Sequence, residues 1–591
     1  MSNNESSSIS VAITGSGGSG VVTAGHILLA AAARAGMFGL MSRSSGPQIR
    51  GGESAAMLRI ATLPVHCMAE RFDLLLALDW RNMIRFAEEI PLNADSLIIR
   101  DPAAGDIPAV ISASGARVMD VPLKQLAKEI PEGRPNMIGL GVLADLVGLS
   151  LDTVTKTATK GLTGKAEKLL QSSEICIARG YGLHREITLM HTLPVVDRAP
   201  QRWNISGNEA SGLGALRGGV RFVAAYPITP ATEMLEWLAP RLEQCGGTLL
   251  QAEDELASVN MLIGASFGGV PSLTATSGPG LSLMMEGLGL AVASESPIVV
   301  ANVMRGGPST GIPTKTEQSD LNIALYGLHG DAPHLVLAAL NIGDCALTTQ
   351  WAVHLAEYLQ TAAIVLSDQS LGQSRAVIPV PQAVEFPHSR KTAQANTEGY
   401  RRYVAAEDDV SPMALPGTAG CIYTADGLEH NDLGTPSSTP ADHLQQLNKH
   451  QGKLEKFDFT AHWAEIVGHG DAAIITWGSS SGACLEAAAR LQAQGTGVRV
   501  IALRLLAPLQ KRLLTESLAG VCSVMVVEQN HSAQLYHYLC SHDVLPKGAG
   551  ILARPGPLPI RPAEIVAAFK RYNGDEHLDS ETETKTQVLQ I

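Results

Sequence analysis

Ser296-Pro297-Ile298-Val299-Val300-Ala301-Asn302-Val303-Met304 runs directly into Arg305-Gly306-Gly307-Pro308-Ser309-Thr310-Gly311-Ile312-Pro313-Thr314-Lys315-Thr316-Glu317-Gln318-Ser319-Asp320-Leu321. The first nine residues read as a buried strand. The seventeen that follow hold five helix breakers, five hydroxyls and two cations, with almost no apolar material, so they cannot be core. A polar loop at the carboxyl end of a buried strand is where open α/β folds bind their ligands.

Working outward, 591 residues with 45% hydrophobic content and 58 glycines supply several filled cores, roughly three or four domains at about 150 residues each. The net charge of −13 and the lack of any Lys/Arg-dense run argue against nucleic acid. No stretch approaches the roughly 18 apolar residues of a membrane span. Met1 to Ser8 is polar and slightly acidic, unlike a signal peptide, so the expected location is the cytoplasm. The eight cysteines stand apart, the closest two being Cys522 and Cys540, and no C-x-x-C pair offers two thiolates to one metal or cluster.

The chain changes character three times. Short apolar strands alternate with Ala-rich helices from Ser10 to about Leu193, as in Val11-Ala12-Ile13-Thr14, Val21 to Ala35 and Leu74 to Leu78, which is βαβ grammar. After the connector Val195 to Arg202, a second α/β block runs to about Pro381. A third begins at Ala472-Ala473-Ile474-Ile475-Thr476-Trp477-Gly478. Between the last two, Glu385 to Asp458 is rich in Pro, Gly, Ser, Thr and charge, too long for a bare linker and expected to be ordered but largely irregular. The tail after Asn573 has a disordered composition.

Gly15-Ser16-Gly17-Gly18-Ser19-Gly20 sits between a strand and a helix, where backbone N–H groups can cradle phosphate or simply make a tight turn. A nicotinamide site would need an acidic residue at the end of the next strand, yet Phe38 to Gln48 offers Arg43 and no carboxylate. In the second block two prolines bracket Ile228-Thr229 in Tyr226-Pro227-Ile228-Thr229-Pro230 and would fix the Thr229 hydroxyl at the start of a helix over 231–239. Thr followed by Pro and Glu233 is equally good capping chemistry. Glu253-Asp254-Glu255 leads into an apolar helix, as carboxylates answering the helix dipole would. Thr274-Ala275-Thr276-Ser277-Gly278-Pro279-Gly280 supplies a turn after a strand. In the third block come Leu505-Leu506-Ala507-Pro508-Leu509 and Val524-Met525-Val526-Val527-Glu528-Gln529-Asn530-His531-Ser532-Ala533-Gln534-Leu535.

Taken in order, these motifs resemble the 2-oxoacid:ferredoxin oxidoreductases, in the form that fuses a γ domain to an α subunit, and the resemblance spans residues 10 to 575. It implies a three-domain α/β chain. A γ-type α/β domain would cover 1–193, a thiamine pyrimidine-binding-type domain 194–381, an irregular connecting segment 382–464 and a transketolase C-terminal-type domain 465–575, before a disordered tail at 576–591. Ala533 stands where the family more often has glycine.

The resemblance also assigns roles. Thiamine enzymes need one sheltered glutamate on the pyrimidine ring, and counting nine residues back from Gly264 gives Glu255, with Glu253 in reserve. Tyr226, Pro227 and Ile228 would contact the cofactor. Arg305 would pair with a substrate carboxylate, because guanidinium offers fork geometry and a permanent charge, while Thr229 and Thr314 would add neutral hydrogen bonds. Lys315 is either a reader of a distal carboxylate or a surface lysine. Gly15, Gly17, Gly18, Gly20 and Arg50 would lie near coenzyme A, or form only a turn.

Thiamine diphosphate is anchored through Mg²⁺ by a Gly-Asp-Gly sequence, and none occurs in this chain. The resemblance therefore implies a β subunit that brings the diphosphate, Mg²⁺ and a [4Fe-4S] cluster, in an (αβ)₂ heterotetramer. The implied reaction is oxidative decarboxylation of a 2-oxoacid, with electrons passing to ferredoxin and the acyl group to coenzyme A. The fused order and the Arg-Gly-Gly-Pro-Ser-Thr-Gly loop look most like the 2-oxoglutarate enzymes, with pyruvate or branched-chain acids as alternatives. A catalytically silent, nucleotide-binding assembly subunit is the reading from another class.

Overall fold

All seven residues of the strand Ile298–Met304 are buried in the computed structural model, which describes residues 8–46, 52–81, 83–183, 193, 201–387 and 389–574. It lies inside a seven-stranded sheet ordered Leu505–Ala507, Leu335–Ala338, Ala362–Asp368, Ile298–Met304, Ser272–Thr276, Phe222–Ala225, Thr248–Gln251. Every pairing is parallel except the edge strand Leu505–Ala507. Helices on both faces demand strands apolar on both sides, which explains the unbroken runs of Val, Ile, Leu and Ala.

The chain divides into two compact units, Met1–Ser206 with Gln373–Pro381, and Gly207–Gly372 with Gln382–Ile591. The first is built on an eight-stranded sheet in the order Arg117–Asp120, Leu97–Arg100, Leu74–Ala77, Ser8–Ser16, Glu53–Ala61, Phe38–Ser45, Arg375–Pro379, Arg202–Ser206. The strand Arg375–Pro379, which falls inside the expected second block, thus pairs antiparallel with Phe38–Ser45. Arg50, the connector residues 194–200 and the tail 576–591 lie outside the described residues.

The second unit also holds a five-stranded sheet, ordered Ala464–Val467, Val498–Leu503, Ala472–Trp477, Ser523–Glu528, Gly550–Ala553. One hydrophobic cluster runs without a break from Val223 and Val300 to Ile475 and Val526, so both sheets of this unit share a core. Leu505–Ala507 extends that union by adding an edge to the seven-stranded sheet.

The connecting segment departs from expectation in one respect. Residues 380–439 are irregular, but Pro440–Lys456 is a 17-residue helix. Thr439 caps it by accepting from the Asp442 N–H, and Pro440 stands at its first position. Its buried face is polar: Gln446, Lys449, His450 and Lys453 with little but Leu454. Lys449, His450 and Lys453 face Glu295, which is fully buried at the turn before the strand Ile298–Met304. Lys449 Nζ reaches Glu295 Oε1 at 2.5 Å, Arg402 Nη1 reaches Oε2 at 3.1 Å, and Lys453 Nζ lies 3.9 Å away. Burial alone would raise the Glu295 pKa, but Lys449, Lys453 and Arg402 hold it well below the usual carboxylate range. Burial pulls Lys453 down to about 7 against the attraction of Glu295.

Breaking a buried pair leaves uncompensated charge, so Glu295→Gln should destabilise the chain by about 3 to 5 kcal/mol in urea unfolding. A lysine at about 7 when folded and about 10.4 when unfolded binds a proton only in the unfolded state between those values. Lys453 therefore opposes folding in full below about pH 7, and its part of the stability should rise from about pH 7 to about pH 10. Lys453→Met should remove that rise. Denaturation curves of both chains at stepped pH measure it, and parallel profiles would contradict it.

Candidate active site

Four loops meet at the carboxyl edge of the seven-stranded sheet. The strand Phe222–Ala225 delivers Tyr226 to Pro230, the strand Thr248–Gln251 delivers Glu253 to Glu255, the strand Ser272–Thr276 delivers the turn to Gly280, and Ile298–Met304 delivers the polar loop. Tyr226 and Pro227 are exposed, whereas Ile228, Thr229 and Thr314 are half-buried.

Arg305 is buried and Nη1 donates to the Thr229 carbonyl at 2.6 Å, which joins the first and last of these loops. Burial lowers its pKa and the Asp320 carboxylate opposes the shift. Asp320 is itself pushed up by burial, and Asn302 and Ser319 hold it back. Asn302 Nδ2 donates to Asp320 Oδ2 at 2.9 Å, while Ser319 Oγ is 2.7 Å from Asp320 Oδ1 and 2.9 Å from the Arg305 carbonyl. The polar loop turns back on itself, with Ile312 N donating to Gly306 O at 2.8 Å and Gly306 N to Lys315 O at 3.2 Å. Gly311 adopts φ +60°, and a Cβ there would lie 1.7 Å from the Gly306 carbonyl, so only glycine closes this turn.

The three carboxylates separate cleanly. Glu253 is exposed, Asp254 is the N-cap accepting from Ala257 N at 2.7 Å, and Glu255 is buried at the first position of the helix Glu255–Phe267. A Cβ on Gly280 would stand 2.6 Å from Glu255 Oε1 and 2.1 Å from Thr276 Oγ1, so only glycine lets the carboxylate and the hydroxyl close on this turn. Two residues away a Cβ on Gly278 would stand 2.8 Å from Asp320 Oδ2. One turn therefore has Glu255 on one flank and the Arg305–Asp320 pair on the other.

Buried atoms around this turn lack protein partners: Thr274 Oγ1, Ser277 Oγ, Asn302 Oδ1 and Arg305 Nε. A sheltered carboxylate with unpaired hydroxyl and amide groups beside it fits a polar heteroaromatic ring. They do not suit a metal-bound diphosphate, and among the described residues no group of three or more His, Cys, Asp or Glu is placed to hold a metal ion.

Thr229 is not the helix cap. The helix runs Thr232–Gln244 with Ala231 at the cap position and no side-chain cap, and the Thr229–Pro230 peptide is cis. Asn208 Nδ2 donates to the Pro230 carbonyl at 2.9 Å and holds that loop in place. Asn302 and Asp320 escaped the sequence reading. An amide in the middle of an apolar strand was the available signal, since a buried polar side chain requires a partner.

In the first unit Gly15 ends in the strand Ser8–Ser16 and Gly20 is the left-handed cap of the helix Val21–Arg34. Asp79 Oδ2 accepts from Ser16 N at 2.9 Å and from Ser16 Oγ at 2.7 Å, Gly17 N donates to Gly52 O and Ser19 N to Ser16 O. The turn thus spends several donors internally and faces a carboxylate where a phosphate would sit, which favours the tight-turn reading of Gly15 to Gly20.

Three family models match the chain in succession. Residues 10–183 match pyruvate ferredoxin/flavodoxin oxidoreductase, 213–449 the thiamine diphosphate-binding part of pyruvate flavodoxin/ferredoxin oxidoreductase, and 462–534 the transketolase C-terminal domain. The alpha subunit of 2-oxoacid:ferredoxin oxidoreductase 2 from Aeropyrum pernix is 30% identical over 96% of this chain and 99% of its own. The 2-oxoglutarate synthase subunit KorA of Archaeoglobus fulgidus is 36% identical over 55% of this chain and 87% of its own. Among solved structures, the 2-oxoglutarate:ferredoxin oxidoreductase from Magnetococcus marinus, with 2-oxoglutarate, coenzyme A and succinyl-CoA bound, matches with a TM-score of 0.88 and 36% identity. That match covers 96% of this chain and 100% of the other. With a thiamine-binding block in its middle and the three domains in this order, the chain belongs to the 2-oxoacid:ferredoxin oxidoreductases, as an alpha-type subunit.

Proposed function

We propose that this chain is the alpha subunit of a 2-oxoglutarate:ferredoxin oxidoreductase that works with a β subunit in the cytoplasm. The observation that carries the reading is Arg305, a buried cation at a ligand-binding sheet edge, secured by the Thr229 carbonyl on one turn with Glu255. The relatives named for 2-oxoglutarate and the Magnetococcus marinus structure support this acid over pyruvate. In the reaction, 2-oxoglutarate and coenzyme A give succinyl-CoA and carbon dioxide, and two electrons leave one at a time to ferredoxin.

Thiamine diphosphate, when bound, supplies a nucleophilic carbon and an electron sink. Glu255 exchanges a proton with the pyrimidine ring, and its burial keeps water from competing. Arg305 binds a carboxylate of the substrate through a charge-assisted pair, and Thr314 and the Thr229 hydroxyl orient it. Tyr226, Pro227 and Ile228 flank the ring. Coenzyme A is the acyl acceptor, with its phosphates left unassigned because several donors of the Gly15–Gly20 turn are engaged within the protein.

The β subunit contributes Mg²⁺, the diphosphate grip and a [4Fe-4S] cluster in an (αβ)₂ assembly. Supporting this, Leu256 and Met261 on the helix carrying Glu255, and Leu283 on the helix Gly278–Ala293, are exposed apolar side chains next to the site. A Cβ on Gly264 or Gly289 would meet nothing within 4 Å, so this face has room for close approach by a partner.

In the assembled complex, Glu255→Gln should preserve folding and substrate binding and reduce turnover by about a hundredfold or more, while Glu253→Gln should do much less. Single-turnover kinetics separate the two, and a reversed order would move the acid–base role to Glu253. Arg305→Met should lower kcat/KM for 2-oxoglutarate by roughly thirtyfold to a thousandfold, the loss expected for a charge-assisted contact worth about 2 to 4 kcal/mol. Unchanged kcat/KM together with a large fall in Tm would make Arg305 structural and favour the silent-subunit reading.

A further inference from the structure

We propose that Gln534, in the C-terminal domain, is a positioning residue for Arg305; this deepens the reading above and rests on it. Arg305 is tethered at two points, one of which leads to the C-terminal domain. Its guanidinium is held by Thr229 O, its carbonyl accepts from Ser319 Oγ at 2.9 Å, and Ser319 also binds Asp320 Oδ1. Ser319 is in turn gripped from the C-terminal domain, because Gln534 Nε2 donates to its carbonyl at 3.0 Å. The same amide accepts from Asn322 N through Oε1 at 2.9 Å, so one side chain clamps the backbone on both sides of Asp320.

The clamp is itself rigid. Gln534 begins the helix Gln534–Ser541, and Gln534 N donates to Asn530 Oδ1 at 3.2 Å. Fully buried Glu528 accepts from Leu535 N at 2.8 Å, Tyr536 N at 2.9 Å and Asn530 Nδ2 at 2.6 Å, fixing the loop and helix start that present Gln534. A donor and an acceptor on one planar group are required here, which an amide has and a carboxylate lacks. Gln534→Glu would set an oxygen against the Ser319 carbonyl while leaving the contact with Asn322 N. Gln534→Met removes both bonds at similar size. Gln318 makes a parallel set of bonds, to Trp477 O at 2.7 Å and from Gln529 N at 2.7 Å, but it is fully buried in the seam and its loss would endanger the fold. Gln534 is the separable handle.

The full chain assembled with its β subunit provides the test, as wild type, Gln534→Glu and Gln534→Met. Without substrate, amide hydrogen exchange at Gly306, Ile312 and Lys315 should quicken in both variants. In steady state, KM for the 2-oxoacid should rise roughly tenfold while kcat and the KM values for coenzyme A and ferredoxin move less than about twofold. Unchanged exchange in the loop overturns the proposal and leaves the role of Arg305 to its own variant. Faster exchange with an unaltered KM for the 2-oxoacid overturns the proposal together with the substrate-site reading of Arg305. An equal rise in all three KM values, or a fall in kcat alone, also overturns it.

Discussion

A guanidinium taken out of water must be answered by acceptors, and the answer given to Arg305 organises the site. Its bond to the Thr229 carbonyl joins the loops that follow the strands Phe222–Ala225 and Ile298–Met304. Those strands are separated in the sheet by Ser272–Thr276, so the bond crosses over the turn that faces Glu255 and Asp320. Asp320 provides the counter-charge, and its own burial is offset by the Asn302 amide rather than by solvent. Nε of Arg305 remains without a protein partner, which leaves the cation able to bind more than it already holds. A buried charge paired only in part is costly as a fold element and well suited to an anionic ligand.

The same logic, with opposite sign, operates at the far end of that strand. Glu295 is a single carboxylate facing Arg402, Lys449 and Lys453, and it fastens the connecting segment to the thiamine-type domain. Its attraction must outweigh the desolvation of several groups, and Lys453 settles part of the imbalance by giving up its proton near neutral pH. The strand Ile298–Met304 is thus bracketed by two buried charge clusters, one around Glu295 and one around Arg305. Only the cluster around Arg305 lies at the carboxyl edge, where ligands bind.

The sequence disclosed what apolar periodicity and special backbone residues could disclose. The run Ile298 to Met304, the glycine and proline loops and the order of the α/β blocks were all legible because parallel strands buried on both faces have almost no polar residues. The choice of Glu255 over Glu253 was a register count, and burial of Glu255 against exposure of Glu253 agrees with it. The helix Pro440–Lys456 was illegible because its buried side is Gln, Lys and His facing a carboxylate from another part of the chain, a pattern that looks solvent-facing. Asn302, Asp320, Gln318 and Gln534 escaped for a related reason. Each is an ordinary polar residue whose meaning lies in a partner, and each has one that stands at least 18 residues away. The cap reading of Thr229 failed on backbone conformation, since the chain turns at Pro230 before the helix begins.

Division of labour between subunits follows from what each kind of group needs. A pyrimidine ring asks for one sheltered carboxylate, and under the proposed function Glu255, buried against the turn at Gly280, would supply it without any metal. A diphosphate asks for a hard cation and several oxygen ligands, which the described residues do not assemble. Placing the two on different chains, as proposed, would make catalysis conditional on assembly, and the helix that carries Glu255 leaves Leu256 and Met261 exposed for such a partner. Covering those side chains removes apolar surface from water at about 25 cal/mol per Å², a driving force that acts beside the catalytic carboxylate. Docking would then dry the site at the same moment as it completes the cofactor's binding groups, and a drier site strengthens each charge interaction made by Arg305 and Glu255.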